Sequence, residues 1–394
     1  MLFLSARALS SIAIRMQAVA VGWQVYETTH SALDLGFVSL ALFLPFIVLV
    51  LPAGHVADHV DRRYVATLCV VLQTVCATAL LWLSWRGLHA VWPVFFVMAA
   101  FGASRAFYIP VMQALVPNLV ALPDLNRAVA LNATVTQVAL VIGPALGGVL
   151  YLLGPTFLYG AVAATFAVTV MLLLNLRRGA QAEKTREPIG WATLLSGLRF
   201  VRSKPVILGA LSLDLFAVLF GGATALLPIY ASDILHVGPD GLGWLRAAPG
   251  VGASLCAFWL SAFPIARRVG RWTLISVAMF GFATIVFGLT TSFALALIAL
   301  AVAGASDMVS VYVRNMLVQL ETPDAIRGRV SAVNAVMIGA SNELGEFESG
   351  LVASWVGAVR SVVIGGVATL VITGCWSRLF PALRKMDRFS QTNI

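Results

Sequence analysis

Twelve apolar runs, separated by short polar segments, follow one another along this chain of 394 residues. Each run is close to the roughly 20 mostly apolar residues that an α-helix needs to cross a bilayer. The pattern therefore predicts twelve membrane-spanning helices. Their predicted bounds are 3–26, 34–53, 65–86, 92–113, 128–152, 157–176, 205–232, 241–263, 272–290, 293–316, 329–355 and 361–380.

The composition supports the same class of protein. Hydrophobic residues make up 60% of the chain and charged residues only 11%, and the mean hydropathy is +0.93. A soluble domain is less apolar than this, so the composition indicates a multi-pass membrane protein. The first span carries Arg7 and Arg15, and we expect it to be retained rather than removed as a signal peptide.

The net charge of +9 is unevenly distributed over the predicted loops. Eighteen of the 26 lysines and arginines fall in loops on one side, whereas the opposite loops hold only Arg86 and Arg360. This asymmetry follows the positive-inside rule and predicts a plasma (inner) membrane protein with both termini cytoplasmic. A nucleic-acid partner would require a basic face with interleaved aromatic residues, which the sequence lacks, so none is expected.

Little in the sequence points to catalysis. The four cysteines and five histidines show no metal-ligand spacing, and no nucleophile lies near a candidate base. A phosphate-binding motif of the form GxxxxGK[ST] is also missing, so ATP is not expected to drive the protein directly. We expect no cofactor, no metal and no enzymatic activity.

A polar segment at 177–204 divides the twelve spans into six and six. It predicts an N-terminal six-helix bundle over 1–176, a cytoplasmic linker with an amphipathic helix, and a C-terminal six-helix bundle over 205–394. Small and polar residues recur between the halves at an offset of 202 residues, pairing Gly102 with Gly304, Asn132 with Asn334, Gly143 with Gly345, and Gly148 with Gly350. A duplicated six-helix unit is typical of transporters, whose substrate site lies between the repeats.

The first predicted inner loop places an acid near a helix end and two bases just beyond it. These residues are Gly54, Asp58, Arg62 and Arg63. The pattern is compatible with an ordinary positive-inside loop, or with charge pairs that break when helices tilt.

Span five contains a second motif, made of Gly143, Pro144, Gly147 and Gly148. Proline in a membrane helix frees a carbonyl, and glycines allow a neighbouring helix to approach closely. Helix packing alone would explain these residues.

Both motifs resemble those of the major facilitator superfamily. The loop is similar to G-x-x-x-D-x-x-(G)-x-[RK]-[RK], and span five is similar to the antiporter motif G-P-x-x-G-G. Asp61 stands where the superfamily often has glycine, as in the branch of enterobactin exporters and transmembrane secretion effectors, and the stretch SNELGEFESG (341–350) resembles that branch too. The resemblance implies an all-α fold of two pseudo-symmetric six-helix bundles that works by alternating access, with the loop as a gate and efflux as the direction.

Ionisable residues inside the predicted spans are the candidates for coupling or cavity chemistry. Each costs about 2.5–3.5 kcal/mol or more to insert, so each is expected to face a partner or a cavity. The candidates are Glu343, Glu346, Asp214, Asp307, Arg105, Arg246 and Arg15. Glu348 is expected to lie in water at the outer end of its span.

Two pairings between these residues are hypotheses. Arg246 lies at a depth similar to that of Glu343 and Glu346, so we expect it to pair with one of them; the acids then serve either proton coupling or a structural ion pair.

The second hypothesis concerns Arg105 and Asp307, which occupy equivalent positions in the two repeats. They either face each other across the pathway or pair within their own halves, for example Asp307 with Arg314.

The sequence thus predicts a monomeric secondary active transporter that exports a small amphipathic molecule, such as a drug or siderophore, in exchange for protons. Alternatives are proton-symport uptake of a small organic anion or sugar, and movement of lysophospholipid between leaflets. A receptor or scaffold is least favoured, and it would tolerate neutralisation of the buried charges.

Overall fold

The computed structural model describes residues 1–120, 122–176 and 191–389, without the side chains of 50–51, 54–55, 57–59, 117–118, 122, 126, 191–194 and 324–325. Helices dominate this part of the chain. In the first half they are α1 (Leu2–Thr29), α2 (Ala32–His59), α3 (Arg62–Trp85), α4 (Trp92–Leu119), α5 (Leu125–Tyr151) and α6 (Pro155–Leu174).

The second half begins with the short helix α7 (Trp191–Ser203). It continues with α8 (Pro205–Gly221), α9 (Leu227–Ile229), α10 (Gly238–Ala262), α11 (Val269–Leu289), α12 (Phe293–Leu320), α13 (Asp324–Val356), α14 (Ala358–Leu379) and α15 (Pro381–Lys385). A 3₁₀ turn at Ala223–Leu226 and a π-helical turn at Tyr230–Ile234 flank α9. The span predicted over 205–232 is therefore an interrupted helix.

Local sequence explains where several helices begin and end. The side chain of Ser31 caps α2 by accepting a hydrogen bond from the amide of Asp34, and Asp61 caps α3 by accepting one from the amide of Arg63. Such caps satisfy amides that the first helical turn leaves without partners. Gly357 separates α13 from α14 with a φ of 89°, a conformation that glycine adopts without strain.

Ten helical segments in the described part of the chain are long and apolar enough to cross a membrane. The α10 and α13 helices are also long, but they are less apolar. In α13 this is because Arg329, Glu343, Glu346 and Glu348 fall within it. All twelve predicted spans thus correspond to long helical segments.

The chain forms two compact units. The first contains Met1–Gly190 with His236–Ala247, and the second contains Trp191–Leu235 with Ala248–Ile394. Within the first unit α1 packs against α5 and α6, and α3 packs against α4 and α6. Within the second, α8 packs against α13 and α14, and α11 packs against α12 and α14. The same packing pattern is therefore repeated in equivalent helices.

Two pairs of glycines spaced by 202 residues make equivalent contacts in the two units. A Cβ atom at Gly102 of α4 would collide with the backbone of Leu42 in α2, and one at Gly304 of α12 would collide with the backbone of Pro249 in α10. Gly143 of α5 likewise lies against α1, while Gly345 of α13 lies against α8. The repeat in the sequence is thus a repeat of close helix contacts, which small residues permit.

Replacing Gly102 or Gly304 with valine should destabilise the protein, because backbone atoms cannot move aside as a flexible side chain can. Overpacking typically costs about 1–3 kcal/mol, so thermal unfolding of the purified protein in detergent should show a lower midpoint. Gly160 in α6 is the control, since nothing lies within 4 Å of the position that a Cβ atom would take there. Equal midpoints for Gly102→Val and Gly160→Val would contradict this account.

Candidate functional site

A buried ion pair joins α8 to α12 in the second unit. Nη1 of Arg314 lies 2.7 Å from Oδ2 of Asp214, and the two side chains are only 3% and 5% exposed. The hydroxyl of Ser310 donates a hydrogen bond of 3.0 Å to Oδ1 of the same carboxylate. Charges withdrawn from water are tolerated when they are paired and hydrogen-bonded in this way.

Asp307 lies beside this pair. It stands one heptad before Arg314 on α12, and both Asp214 and Arg314 act on it electrostatically. Asp214, Asp307 and Ser310 line the same small cavity. Arg314 makes its ion pair with Asp214, so the expected alternative of an Asp307–Arg314 pair is not what the structure contains. Among the described residues of the second unit, the Asp307 carboxyl has no ion-pair or hydrogen-bond partner.

Asp307 also borders a larger cavity of about 240 Å³ within the second unit. Its polar lining includes Asp307, Asn342 and Glu346, together with Thr224 and Thr284. The apolar lining comes from Leu227, Phe280, Phe287, Leu300 and neighbouring small residues. Two carboxyl groups from α12 and α13 therefore border one partly apolar space.

The interruption after α8 forms part of this cavity wall. Gly221, Gly222, Ala223 and Thr224 all line the cavity, and the Gly222 carbonyl accepts a hydrogen bond of 2.9 Å from the hydroxyl of Ser349. Non-helical backbone at membrane depth is found where protein buries it or where it lines a cavity. Interrupted helices recur at transporter binding sites for this reason.

The acids of α13 differ in their placement. Glu346 borders the cavity together with Asn342, four residues earlier, as expected for one helical face. Glu343 and Glu348 are half-buried and do not belong to the described lining of the cavity. Glu343 and Glu346 both make further contacts in the fold, and the assignment of each to coupling stays a prediction.

In the first unit, the motif of span five is a packing surface. A Cβ atom at Gly143 would lie 2.6 Å from Cβ of Arg15, and one at Gly147 would lie 3.0 Å from Cα of Met16. At Gly148 a Cβ would lie 2.5 Å from the Pro239 carbonyl oxygen. The glycines thus allow α5 to approach α1 and the start of α10, and they bring the stem of Arg15 against the motif. Pro144 lies inside α5.

The two bases of the first inner loop bind helix carbonyls. Arg62 donates to the Ala114 carbonyl at 3.3 Å, and Nε of Arg63 donates to the Leu173 carbonyl at 2.9 Å. Nη2 of Arg63 also donates to the Leu174 carbonyl. Arg63 thereby occupies the C-terminal end of α6, where a cation is favourable. The contacts of Gly54 and of the Asp58 side chain lie outside what the structure describes, so their gating role stays a prediction.

Arg105 and Arg246 are half-buried and both make contacts within the fold. Their expected pairings with Asp307 and with the α13 acids stay predictions. Sequence analysis did not foresee the part played by Ser310. The spacing of Asp307, Ser310 and Arg314, at three, four and seven residues, placed all three on one face of α12 and was the available signal.

A second buried polar cluster was also missed. The hydroxyls of Ser10 in α1 and Tyr108 in α4 hydrogen-bond to each other, and the guanidinium of Arg7 lies 5.8 Å from the centre of the Tyr108 ring. This cluster joins two helices of the first unit, as polar contacts commonly do in membrane bundles.

Two carboxyl groups that border one cavity, close-packed glycine motifs and a repeated helical unit are features of membrane transporters. The model of the family described as "Transmembrane secretion effector" matches residues 2–393. The chain therefore belongs to this family of the major facilitator superfamily, as its sequence motifs predicted.

Relatives with established names support the assignment. The chain is 28% identical to the enterobactin exporter EntS of Citrobacter koseri over 395 residues, which cover 98% of this chain and 92% of that protein. It is 27% identical to EntS of Shigella boydii serotype 18, with the same coverage of both chains.

Solved structures show the fold. A mutant of the nucleoside transporter NupG superposes with a TM-score of 0.78 at 14% identity, covering 96% of this chain and all of that one. A bacterial homologue of the human lysosomal transporter Spinster, in an inward-facing and unoccupied conformation, gives a TM-score of 0.76 at 16% identity over 99% and 98% of the two chains. The predicted transporter fold is confirmed.

Removing one member of the buried ion pair should destabilise the protein strongly. Arg314→Met leaves the Asp214 carboxylate buried with Ser310 alone, and losing one partner of a buried pair costs about 3–5 kcal/mol. The double variant Arg314→Met/Asp214→Leu removes both charges and should recover much of that loss. Thermal unfolding in detergent measures both. If the single variant were as stable as the wild type, or if the double variant were no more stable than the single variant, the structural role of the pair would be contradicted.

Proposed function

We propose that this protein exports a small amphipathic molecule of the siderophore type in exchange for protons. The observation that carries the proposal is the cavity in which Asp307 and Glu346 both face apolar and hydroxyl-bearing walls. Two further points support export over uptake. The named relatives are exporters of enterobactin, and span five carries the antiporter-like motif.

The acids of the second unit have two different roles in this proposal, one structural and one in proton transport. Asp214 is held by Arg314 and Ser310 and maintains the packing of α8 on α12. Asp307 and Glu346 border the cavity instead. A carboxyl group at a cavity exchanges its proton with whichever side of the membrane the cavity opens to, which is the requirement for proton-driven antiport.

The cavity also suggests how the substrate is held. Its volume of about 240 Å³ is below the ~300–1,000 Å³ of typical ligand sites, so it accommodates one portion of a larger substrate. Phe280 and Phe287 offer apolar contact, while Asn342 and the threonine hydroxyls offer hydrogen bonds. A molecule with both apolar and polar parts matches this lining.

Alternating access in this proposal uses two bundles, 1–176 and 205–394, joined by the linker 177–204. Gly54, Asp58, Arg62 and Arg63 act as the gating loop, and the span-five glycines act as a sliding surface. The charge distribution supports an orientation with both termini in the cytoplasm and a location in the inner (plasma) membrane. The transporting unit is a monomer.

Transport into everted membrane vesicles tests coupling and direction together. With an imposed inside-acid gradient, vesicles containing the protein should accumulate a siderophore from a panel of drugs, siderophores, sugars and organic anions. A protonophore should abolish the accumulation. Gradient-independent flux would remove proton coupling, and accumulation driven by the opposite gradient would indicate symport.

Neutral variants of the cavity acids test which residues carry the protons. Asp307→Asn and Glu346→Gln should each lower gradient-driven accumulation to the level seen without a gradient, because an amide cannot take up and release a proton as a carboxyl group does. Exchange of substrate between the two sides without a gradient should persist, because that exchange needs no net proton movement.

Glu348→Gln is the matched control for these variants, since Glu348 lies on the same helix but does not belong to the described cavity lining. It should keep wild-type accumulation. An equal loss in Glu348→Gln, or full activity in both cavity variants, would exclude the cavity acids as the coupling groups.

A further inference from the structure

A strongly basic cavity lies apart from the transport site, at the junction of α11 and α15 in the second unit. Its volume is about 530 Å³. The residues that line it are Arg268, Arg271, Arg384, Lys385, Met386 and Asp387. Neither the family assignment nor the proposed transport mechanism uses these residues.

Backbone contacts hold the two sides of this cavity together. The amides of Val269 and Gly270 donate to the carbonyls of Asp387 and Met386, at 3.3 and 3.1 Å. The amide of Arg268 donates to Oδ1 of Asp387 at 3.2 Å. These bonds satisfy the first amides of α11, so the chain after α15 caps that helix. The cationic side chains are therefore gathered around one space by main-chain geometry.

Gly270 is required for this arrangement. A Cβ atom at that position would collide with the Leu383 carbonyl of α15. The junction is consequently close-packed, and its position relative to α11 is fixed. The backbone positions that carry the cationic side chains are therefore held close to one another.

The cavity carries an excess of positive charge. Four of its residues are cations, and Asp387 is the one carboxylate among the described lining residues. That carboxylate also lies 3.8 Å from Nε of Arg388, outside the lining. Within the described part of the chain, the four cationic side chains have no ion-pair partner. All four side chains are exposed and accessible. Their positive charge would therefore attract and stabilise a bound anion.

The residues favour phosphate as the anion. Guanidinium groups bind phosphate oxygens through two parallel hydrogen bonds, and lysine adds a point charge. Two aromatic residues that lie near the cavity residues in the sequence have exposed side chains. Trp272, adjacent to Arg271, is 43% exposed, and Phe263 is 63% exposed. Tryptophan beside bases is typical of the level of the lipid headgroups.

We propose that this cavity binds the phosphates of an anionic phospholipid headgroup in the cytoplasmic leaflet. Basic pockets beside transmembrane helices on that side are known to accept such headgroups. A headgroup with two phosphates matches the cavity's excess of three positive charges better than one with a single phosphate. The proposal does not depend on the identity of the transported substrate.

Native mass spectrometry of the full-length protein in detergent tests this assignment. The probes are a diphosphatidylglycerol, a phosphatidylglycerol and a zwitterionic phosphatidylcholine, added separately. Wild-type protein should retain them in that order. The double variant Arg271→Gln/Lys385→Gln should bind the diphosphatidylglycerol about 30-fold more weakly, since each basic residue near an anionic surface contributes about a factor of five.

Two control variants distinguish lipid binding at this cavity from a general effect of the protein's positive charge. Arg86→Gln/Arg360→Gln removes the same charge at two exposed positions outside the cavity and should bind as the wild type does. Arg271→Lys/Lys385→Arg keeps the charge and should retain most binding. If the glutamine double variant does not fold, Arg384→Gln replaces it, with an expected loss of about fivefold.

A competition arm distinguishes lipid from free phosphate. Inorganic phosphate and soluble glycerol phosphate in millimolar excess should leave the lipid bound, because they lack acyl chains. Displacement by either would overturn the assignment to lipid. Unchanged lipid binding in Arg271→Gln/Lys385→Gln, or an equal loss in Arg86→Gln/Arg360→Gln, would overturn the site itself.

Discussion

The cost of charge in a medium of low dielectric governs this protein. Each ionisable side chain in a membrane helix must find a partner or border a cavity, and the second unit contains both solutions. Asp214 is neutralised by Arg314 and Ser310, which ties α8 to α12. Asp307, one heptad before Arg314, borders a cavity that Glu346 of α13 also lines. The ion pair stabilises the packing of α8 on α12, and the acids that border the cavity are the ones we propose to carry protons.

Much of the fold could be predicted from the sequence, because the features that determine it are local or recur periodically along the chain. Apolar runs predicted the spans, and the offset of 202 residues predicted a duplicated unit. The paired contacts of Gly102 and Gly304 show why the repeat was visible. Where two backbones nearly touch, no other residue fits, so the same small residue stands at both equivalent positions.

The site was less predictable, because it depends on helices that are distant in the sequence. The partner of Asp214 lies 100 positions away at Arg314, and only the packing of α8 on α12 selects it. Spacing along α12 placed Asp307, Ser310 and Arg314 on one face. It did not determine whether Arg314 would form its ion pair with Asp307 or with Asp214. The interruption at Gly222 was also unforeseen, although Gly221, Gly222 and Pro228 within the mostly apolar stretch 205–232 were the available signal.

That interruption makes the two repeats mechanically unequal. The first helix of the first unit, α1, is continuous over 28 residues, whereas its counterpart α8 stops after 17. A continuous helix transmits a tilt along its whole length, but an interrupted one bends at the break and decouples its ends. One repeat thus contains a continuous helix, whereas the equivalent helix of the other repeat is broken beside the cavity that Asp307 and Glu346 border. We therefore expect opening towards one face of the membrane to bend different helices from opening towards the other face. The two halves of the transport cycle need not have the same rate.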